Sequence, residues 1–509
     1  MDEVRFPKKI LDNVHGFIPY TEEEGRIINL PIFRRLQGIK QLSLIDRVFP
    51  GAEHTRFIHS IGVMHIADKI AEQVGYPWEQ RRIVRLAGLL HDIGHYPLSH
   101  VCEKAYKDYQ VTDMTSLIKD GKKTITDNAS VKHQIDNIDG QIKIEFMKPS
   151  SGTHHEAISA SIVQNSREIK DIICPDGDER IIAQICAMIT GDGETAGIDK
   201  AMVQILHSEI DADGIDYMLR DAHFSGTSFG SFEIDMLIKH MAKKEVDGEW
   251  ILYVQKKGIP AADQYLINKF FSYAQVTNNK RVAIYEWMAT IIVAWMQQAG
   301  AYFPKDNELY TSWVKTDQIH KKYLRFDDNF FWKALGDMVD NPLACYAQKE
   351  IVQFCRLLLS HQGLEMVEGS EIRFESDNPS KAKQRLQNEA FYKALDDSEH
   401  EPDRITLFSS VGFTKHVPSA VFETALKQEA EKILQSDKDD PNYDEEESKR
   451  ALKEKQDKQR LRRLMDGTVV EKEDGSLVHL CDDESSLMRF LYKVKIYIVR
   501  QYALNKANL

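Results

Sequence analysis

The sequence predicts a mainly α-helical protein with a smaller region of mixed α and β structure toward its C-terminal end. Apolar residues recur at helical spacing through most of the first 300 residues, and segments typical of strands are few. Hydrophobic residues make up 42% of the 509-residue chain, which is sufficient for a large core. This length suggests two to four domains, or one large domain with additions.

The helix candidates combine apolar residues at intervals of three and four with polar or glycine-containing ends. They comprise residues 57–75, 80–92, 155–166, 178–190, 201–222, 231–243 and 259–300. The last segment is long enough for one long helix or two stacked helices.

Three segments carry strand signals. The first two are EWILYVQ at 249–255 and EIRFES at 371–376, both rich in β-branched and aromatic residues. The third is a predicted hairpin within 468–480, in which Asp474-Gly475 supplies the turn. These strands predict a modest β component, most of it near the C-terminal end.

Composition divides the chain into a core and two additions. We expect a core at residues 1–325 and a smaller α+β region at 326–509 that regulates or oligomerises. Residues 105–152 form a polar insertion that we expect to be partly ordered at best and to emerge near the pocket mouth. Residues 436–463 pass from acidic to basic, as in a solvated helix or an arm that binds a nucleotide or partner.

Charge and cysteine content limit the class of protein. The net charge is −13, so general nucleic-acid binding is not favoured, although a local basic pocket stays open. The six cysteines are scattered without a CxxC motif, as expected of reduced thiols. The N-terminal residues lack the apolar run of a signal peptide, and the most apolar stretch, near 291–295, is too short to span a bilayer. We expect a cytoplasmic protein without a membrane partner.

The dipeptide His91-Asp92 ends the apolar run LAGLLHDIGH. A buried histidine beside a buried aspartate is costly unless both are paired or bound to a metal, so a hydrogen-bonded core pair is the alternative. His59 lies in an amphipathic segment, where a histidine is more often a core residue than a ligand.

A second candidate stretch, HSEIDADGIDYMLRDAHFSG at 207–226, interleaves five carboxylates with apolar residues. Buried carboxylates without partners are expensive, so cations are implied. Two imidazoles with two carboxylates would suit Fe, Mn, Zn or Co better than Ca. Such a set leaves coordination positions open for water and a phosphate oxygen, as metal-assisted hydrolysis requires.

The order H…HD…D resembles the HD phosphohydrolase superfamily. The longer runs KQLSLIDRVFPGAEHTRFIHSIGV, LAGLLHDIGHYPLSH, HHE and IDADGIDYMLRD closely resemble the deoxynucleoside triphosphate triphosphohydrolases. That group includes the bacterial dGTPases and the vertebrate sterile-alpha-motif/HD enzyme, and the resemblance covers roughly residues 10–300. It implies an HD-domain helical bundle around a metal held by His59, His91, Asp92 and Asp213.

The resemblance also implies roles near the phosphates. Arg56 matches a phosphate-binding arginine. His95 and His100 fall in HDxGHxPxSH, where the family has phosphate contacts and a catalytic histidine. Glu103 follows His100 by three residues, so on a helix it could orient that imidazole and raise its basicity. His155 matches a later histidine near the phosphates and is the next catalytic candidate.

Sugar recognition carries over in the same way. Gln41 and Leu42 resemble the family's deoxyribose-contacting pair, while Tyr217 and Asp221 match a tyrosine beneath the sugar and an aspartate that accepts from its 3′-hydroxyl. Lys269 stands where an arginine contacts phosphate.

Two positions depart from the family pattern. Gly214 stands where the vertebrate enzyme has a phosphate-binding lysine, and Thr277 stands where the family has a tyrosine near the base. The preferred base therefore stays open.

The implied reaction is hydrolysis of a dNTP to deoxynucleoside and inorganic triphosphate. A divalent transition metal such as Mn or Fe would occupy the site, with Mg bound to the nucleotide. The protein would be a homo-oligomer, and whether a nucleotide activates it stays open.

One alternative is an HD phosphohydrolase acting on another nucleotide or a nucleic-acid end. Alarmone hydrolases show HDxxED where this chain reads HDIGHY, and the GYP motif of cyclic-dinucleotide enzymes is absent. A nucleotide-sensing regulatory protein with a spent HD site is the alternative of another class.

Overall fold

Helices dominate the architecture, as the sequence predicts. In the computed structural model the described residues are 6–107, 124–128, 154–193, 196–246, 248–304, 323–345, 349–367, 370–375, 404–414, 416–437, 467–503 and scattered positions of 450–463. Within these ranges the helices build the core and the strands form small sheets, so the mainly α fold class with a smaller α+β region is confirmed. No helix in these ranges is long and apolar enough to cross a membrane.

The helices are numbered here in chain order. They are α1 Glu22–Ile28, α2 Pro31–Arg34, α3 Arg56–Gln73, α4 Trp78–Leu90, α5 His100–Lys107, α6 His155–Asn165, α7 Arg167–Ile173, α8 Arg180–Thr190, α9 Lys200–Gln204, α10 Ala212–Ser225, α11 Ile234–Lys239, α12 Ile259–Ser272, α13 Lys280–Ala299, α14 Asp328–Asp340, α15 Lys349–Leu359, α16 Ser419–Asp437 and α17 Met488–Leu491.

The described strands are short and are distributed along the whole chain, with six of them beyond residue 360. They are β1 Lys8–Asp12, β2 Gly16–Tyr20, β3 Thr124–Asn128, β4 Met241–Val246, β5 Glu249–Val254, β6 Glu365–Met366, β7 Ile372–Glu375, β8 Arg404–Gly412, β9 Val469–Glu471, β10 Leu477–His479 and β11 Lys495–Ala503.

Two predicted helices are wrong in extent. The segment 201–222 is divided into α9 and α10, because the Asp211 carboxylate caps α10 by accepting from the Gly214 amide at 2.7 Å. The segment 231–243 is helical only as α11, since Met241 begins a strand that pairs antiparallel with β5. In both cases backbone N–H and C=O groups find hydrogen-bond partners outside a continuous helix, either in a capping side chain or in a neighbouring strand. Helical periodicity in the sequence does not reveal such partners.

The long 259–300 segment forms two helices. A π-helical turn at Tyr273–Thr277 ends α12, and the Asn279 side chain caps α13 by accepting from the Arg281 amide at 3.0 Å. The structure thus selects two helices over the single long one.

The three predicted strand segments are confirmed as β5, β7 and the β9–β10 hairpin, whose turn uses Gly475 at φ +78°. β9 also pairs with β5 in parallel, at Val254 and Val470, so one sheet joins the core to the C-terminal region. A second sheet has the order β3-β8-β11-β6, with β7 also on β11.

The predicted additions are described in part. Residues 105–107 belong to α5 rather than to the insertion, and β3 pairs in parallel with β8. The rest of the predicted 105–152 insertion lies outside the described residues. In the basic half of 436–463, Arg460 and Lys455 form ion pairs with Glu423 and Glu429 of α16.

Residues just beyond the predicted boundary at 325 support the loops of the candidate site. The buried Arg35 guanidinium donates to the carbonyl oxygens of Phe326, Ile93 and His95 at 2.6 to 2.8 Å. The Asp328 carboxylate, at the start of α14, accepts from the amides of Lys40 and Leu98 at 2.9 and 2.6 Å. The beginning of the C-terminal region therefore anchors two segments of the core.

Candidate metal centre and active site

Three helices bring the four proposed metal ligands together. His59 lies in the first turn of α3, His91 and Asp92 directly follow α4, and Asp213 lies in the first turn of α10. Asp213 Oδ1 is 2.9 Å from His59 Nε2 and 3.9 Å from His91 Nε2. Asp92 lies 3.8 Å from His59 Nε2 and 3.4 Å from His91 Nε2. The two imidazoles and two carboxylates thus form one compact mixed N/O group.

The orientation of both imidazoles fits a metal ligand. His59 Nδ1 lies 2.7 Å from Asp216 Oδ2, and His91 Nδ1 lies 2.8 Å from the Gly88 carbonyl oxygen. Because each acceptor holds the proton on Nδ1, each Nε2 presents its lone pair to the carboxylates. Both Nε2 atoms are buried, and neither makes a hydrogen bond with correct geometry among the described residues. A cation would satisfy both atoms.

The pKa shifts of the proposed ligands also favour a bound cation. Burial opposes ionisation of Asp92, but Arg56 and the flanking His91 and His59 imidazoles hold its pKa well below the usual range. Burial lowers the pKa of His59, yet Asp213 and Asp216 outweigh it and raise the pKa to about 10. The raised pKa shows that nearby carboxylates strongly favour a positive charge on this imidazole. The cluster therefore carries an excess of negative charge, which a divalent cation would neutralise.

Asp216, a buried carboxylate that contacts the proposed ligand His59, is a residue to which sequence reasoning assigned no role. It is fully buried, and besides His59 it contacts His15 Nε2 at 2.6 Å and Arg220 Nε at 2.8 Å. Gly62 makes this arrangement possible, since a Cβ at that position would lie 1.9 Å from Asp216 Oδ1. The i,i+4 spacing of Asp216 and Arg220 within an apolar stretch was the available signal.

Arg56, the first residue of α3, links the candidate metal centre to the strained loop that contains Leu98 and Ser99. Its Nη1 donates to Asp92 and its Nε donates to Ser99 Oγ at 2.7 Å. Ser99 and its neighbour Leu98 both adopt left-handed backbone angles, with φ of +52° and +49°. Such angles cost non-glycine residues about 1–3 kcal/mol each, so the hydrogen bonds around this loop must hold it.

A histidine cluster borders the metal centre. The expected contact is present: His100 Nδ1 lies 2.9 Å from Glu103 Oε2. Glu103 also contacts His155 Nδ1 at 3.1 Å, and His155 Nε2 lies 3.9 Å from Asp92. The His95 ring stacks on His155 with centroids 4.3 Å apart. One carboxylate therefore orients two imidazoles, where the sequence predicts one.

The protonation states within this cluster differ. Burial and the charge of Arg56 hold the pKa of His95 well below its usual value, so this imidazole is neutral. Burial lowers the pKa of His155, but Glu103 outweighs it and raises the pKa above the usual value. His155 thus retains a proton more readily than His95. The His100 side chain is 68% exposed, which leaves it accessible to a substrate.

The proposed sugar contacts are linked through His54. Gln41 N donates to the His54 carbonyl oxygen at 3.0 Å, and His54 Nε2 lies 2.8 Å from Asp221 Oδ1. The Gln41 side-chain oxygen is buried without a hydrogen-bond partner among the described residues. Leu42 packs instead against a small apolar cluster that includes Ile45. Sequence reasoning missed His54, although it lies inside the matched run GAEHTRF.

A pair of tyrosines lies near Asp221. Tyr217 hydrogen-bonds Tyr273, which lies four residues before Thr277 and was not singled out in the sequence. Lys269 Nζ is 5.8 Å from the centre of the Tyr217 ring and 3.4 Å from the Glu209 carbonyl oxygen. A tyrosine is thus present beside Tyr217 in spite of the threonine at 277.

The departure at Gly214 has a packing reason. A Cβ at this position would lie 2.3 Å from the buried Tyr265 hydroxyl and 2.9 Å from Asp211 Oδ1. A lysine would fit there only if the side chains of Tyr265 and Asp211 shifted, so any phosphate contact must come from other residues.

The sequence is similar to a known domain family and to several known proteins. The HD domain family model matches residues 56–218. An uncharacterized protein of Methanocaldococcus jannaschii is 30% identical over 281 residues, which cover 55% of this chain and 48% of the relative. The human deoxynucleoside triphosphate triphosphohydrolase SAMHD1 is 28% identical over 279 residues, covering 50% of this chain and 38% of the relative.

Similarity of fold extends further along the chain than similarity of sequence. A phosphohydrolase structure from Bacteroides thetaiotaomicron matches with a TM-score of 0.57 over 97% of this chain and 99% of that chain, at 20% identity. The sequence matches just described, by contrast, span about half or less of those curated relatives.

Proposed function

Because residues 56–218 of this chain form an HD domain, we propose that the protein hydrolyses deoxynucleoside triphosphates to deoxynucleoside and inorganic triphosphate. The domain and the fold of the similar phosphohydrolase support a hydrolase in general. One observation carries the chemistry: among the described residues, two buried imidazole Nε2 atoms make no hydrogen bond of correct geometry and face two carboxylates.

A divalent metal fits this group of residues. His59, His91, Asp92 and Asp213 would hold it, and their mixed N/O donors favour Mn or Fe over Ca. The metal would supply a Lewis acid and lower the pKa of water for attack on phosphorus, while Mg would accompany the nucleotide.

The remaining steps belong to the residues around the metal centre. Water attacks the α-phosphorus, the bond from phosphorus to the 5′-oxygen breaks, and that oxygen takes up a proton. His100, oriented by Glu103 at 2.9 Å, is our candidate for the acid. His155 shares the same carboxylate and is the second candidate. Arg56 would stabilise the charge that develops on the phosphate oxygens.

The choice of a deoxynucleotide rests on two supports. SAMHD1 is named for action on deoxynucleoside triphosphates, and it is similar over half of this chain. In this chain Tyr217 would pack beneath the sugar and leave no room for a 2′-hydroxyl. Gln41 and Asp221 would then hold the 3′-hydroxyl. We also propose a cytoplasmic homo-oligomer, with the C-terminal region as a regulatory or oligomerising element.

Identification of the products tests the proposal. Each dNTP and NTP is incubated with the full chain and Mn²⁺ or Mg²⁺, and the products are separated by anion-exchange chromatography. We expect intact triphosphate and deoxynucleoside, with ribonucleotides cleaved about 5- to 150-fold less well, the equivalent of a buried unpaired hydroxyl. Asp92→Ala should abolish turnover. Pyrophosphate with dNMP, or equal cleavage of GTP and dGTP, would leave only a phosphohydrolase of other specificity.

A further inference from the structure

Two histidines hold the two ends of a row of side chains on α10. Asp213, Tyr217 and Asp221 follow one another at four-residue intervals, so they lie on the same face of that helix. At the metal end of the row, His59 Nε2 lies 2.9 Å from Asp213 Oδ1. At the other end, His54 Nε2 lies 2.8 Å from Asp221 Oδ1. The chain that enters α3 therefore contacts both ends of this face.

We propose that His54 is a positioning residue for recognition of the sugar 3′-hydroxyl. By donating from Nε2 to Oδ1 of Asp221, it fixes the carboxylate so that the second oxygen, Oδ2, accepts from the 3′-hydroxyl of a bound deoxynucleotide. The inference rests on the proposed function and adds to it a residue that determines specificity without touching the reacting atoms.

The hydrogen bond between His54 and Asp221 has a defined direction. A carboxylate only accepts, so the N–H between the two side chains belongs to His54 Nε2. The His54 side chain is fully buried, and its Nδ1 makes no hydrogen bond among the described residues. A neutral imidazole has a single N–H, and here Asp221 is the acceptor that uses it. The ring therefore serves Asp221 and does not bridge two acceptors.

Asp221 depends on this contact. Its side chain is 14% exposed, and within the described part of the chain His54 is the one side chain that hydrogen-bonds it. A carboxylate that is free to rotate must be ordered when a ligand binds, which lowers affinity. A buried donor that already holds the carboxylate removes part of that cost, so His54 prepares Asp221 for the hydroxyl.

The surroundings of His54 hold its ring in place. The ring stacks on Phe224 of α10, with centroids 4.8 Å apart and an interplanar angle of 26°. Gly51 brings the preceding backbone against the same residue, since a Cβ on this glycine would lie 2.4 Å from the Phe224 carbonyl oxygen. The His54 carbonyl oxygen accepts from Gln41 N at 3.0 Å. Both residues proposed to hold the 3′-hydroxyl, Gln41 and Asp221, are thus tied to His54.

The test uses the dNTP that the wild-type full chain cleaves fastest with Mn²⁺, and its 2′,3′-dideoxy analogue, which lacks the 3′-hydroxyl. A hydrogen bond to a charged group typically changes affinity about 10- to 150-fold, so kcat/KM should favour the dNTP by about this factor. His54→Phe keeps a ring against Phe224 but removes the donor, and it should reduce this preference by about tenfold or more. The loss is expected in the KM for the dNTP, since the 3′-hydroxyl takes no part in the bond that breaks.

Further variants separate positioning from a structural role. His54→Gln supplies an amide N–H in place of Nε2 and should retain more of the preference than His54→Phe. His240→Phe replaces a half-buried histidine that contacts Gln255 at 3.3 Å, and it should keep the wild-type preference. If His54→Phe fails to fold, as judged by circular dichroism, the smaller His54→Ala takes its place with the same expectation.

The possible failures are distinguishable. A His54→Phe chain that prefers the dNTP as strongly as the wild type would overturn the inference while the proposed function stands. Equal cleavage of the dNTP and its dideoxy analogue by the wild type would also overturn it, because Asp221 would then not accept from the 3′-hydroxyl. A wild type that cleaves no dNTP would refute the proposed function itself, and the inference with it.

Discussion

Asp216 offers the sharpest test of how the candidate metal centre is held. Its carboxylate lies 2.7 Å from His59 Nδ1, 2.6 Å from His15 Nε2 and 2.8 Å from Arg220 Nε. Asp216→Asn replaces the charge by an amide of nearly the same volume. The amide can no longer accept from all these groups, so His59 loses the contact that aims its Nε2 at the other ligands.

Two magnitudes follow from these contacts. Loss of a partner that orients a metal-ligating histidine typically lowers metal affinity 10- to 100-fold, or about 1.4–2.7 kcal/mol. Removing one member of a buried ion pair typically costs about 3–5 kcal/mol of stability, and Arg220 retains Asp12 at 2.8 Å as a second partner. We therefore expect a stability loss toward the lower end of that range.

A matched control lies on the same helix as His59. Asp68 is also buried and paired with two arginines, Arg81 at 2.8 Å and Arg85 at 2.7 Å, but it touches no proposed metal ligand. Asp68→Asn should lower stability by a similar amount while leaving Mn²⁺ affinity unchanged. Mn²⁺ binding is measured by competition with a chromogenic chelator, and stability by urea unfolding.

The comparison can refute the reasoning in two ways. If Asp216→Asn binds Mn²⁺ as tightly as the wild type, the orientation of His59 does not depend on this contact. If both variants lose affinity equally, the loss reflects general destabilisation of the bundle, and Asp216 has no special part in the metal centre.

Three further perturbations probe other parts of the site. His100→Ala should lower kcat about 10²- to 10⁴-fold while nucleotide still binds, and a loss below about tenfold would assign the acid to another residue. Gly214→Ala should cost about 1–3 kcal/mol in thermal unfolding, because the new methyl group meets the Tyr265 hydroxyl; an unchanged melting temperature would contradict the close packing. Burial raises the folded-state pKa of Asp328 to about 7. The protonated carboxyl therefore contributes its full stabilisation below about pH 4, and this stabilisation is lost as pH rises through 7. Relative to Asp328→Asn, the wild type should lose up to about 4 kcal/mol of its free energy of unfolding between about pH 4 and 8. Parallel plots of unfolding free energy against pH for the two proteins would refute this.

Helical periodicity located most core helices correctly, and it failed where backbone groups found partners elsewhere. Residues 57–75 and 80–92 read as helices and form α3 and α4, because their apolar faces and their ends are local features. The predicted helix at 231–243 stops at Lys239, because the next residues pair with β5. Strand pairing depends on a second segment, which a local pattern does not contain.

The sequence by itself determined the helical class and named the four residues that meet in the candidate metal centre. Their order along the chain resembles a known family, and two of them are adjacent, so the chain alone carried that information. Tertiary structure decided which groups orient these residues. Asp216 meets His15 across 201 positions, Asp328 supports Leu98 across 230, and Glu209 reaches Thr468 across 259. Such contacts arise from the packing of distant segments, and no local periodicity or spacing encodes them.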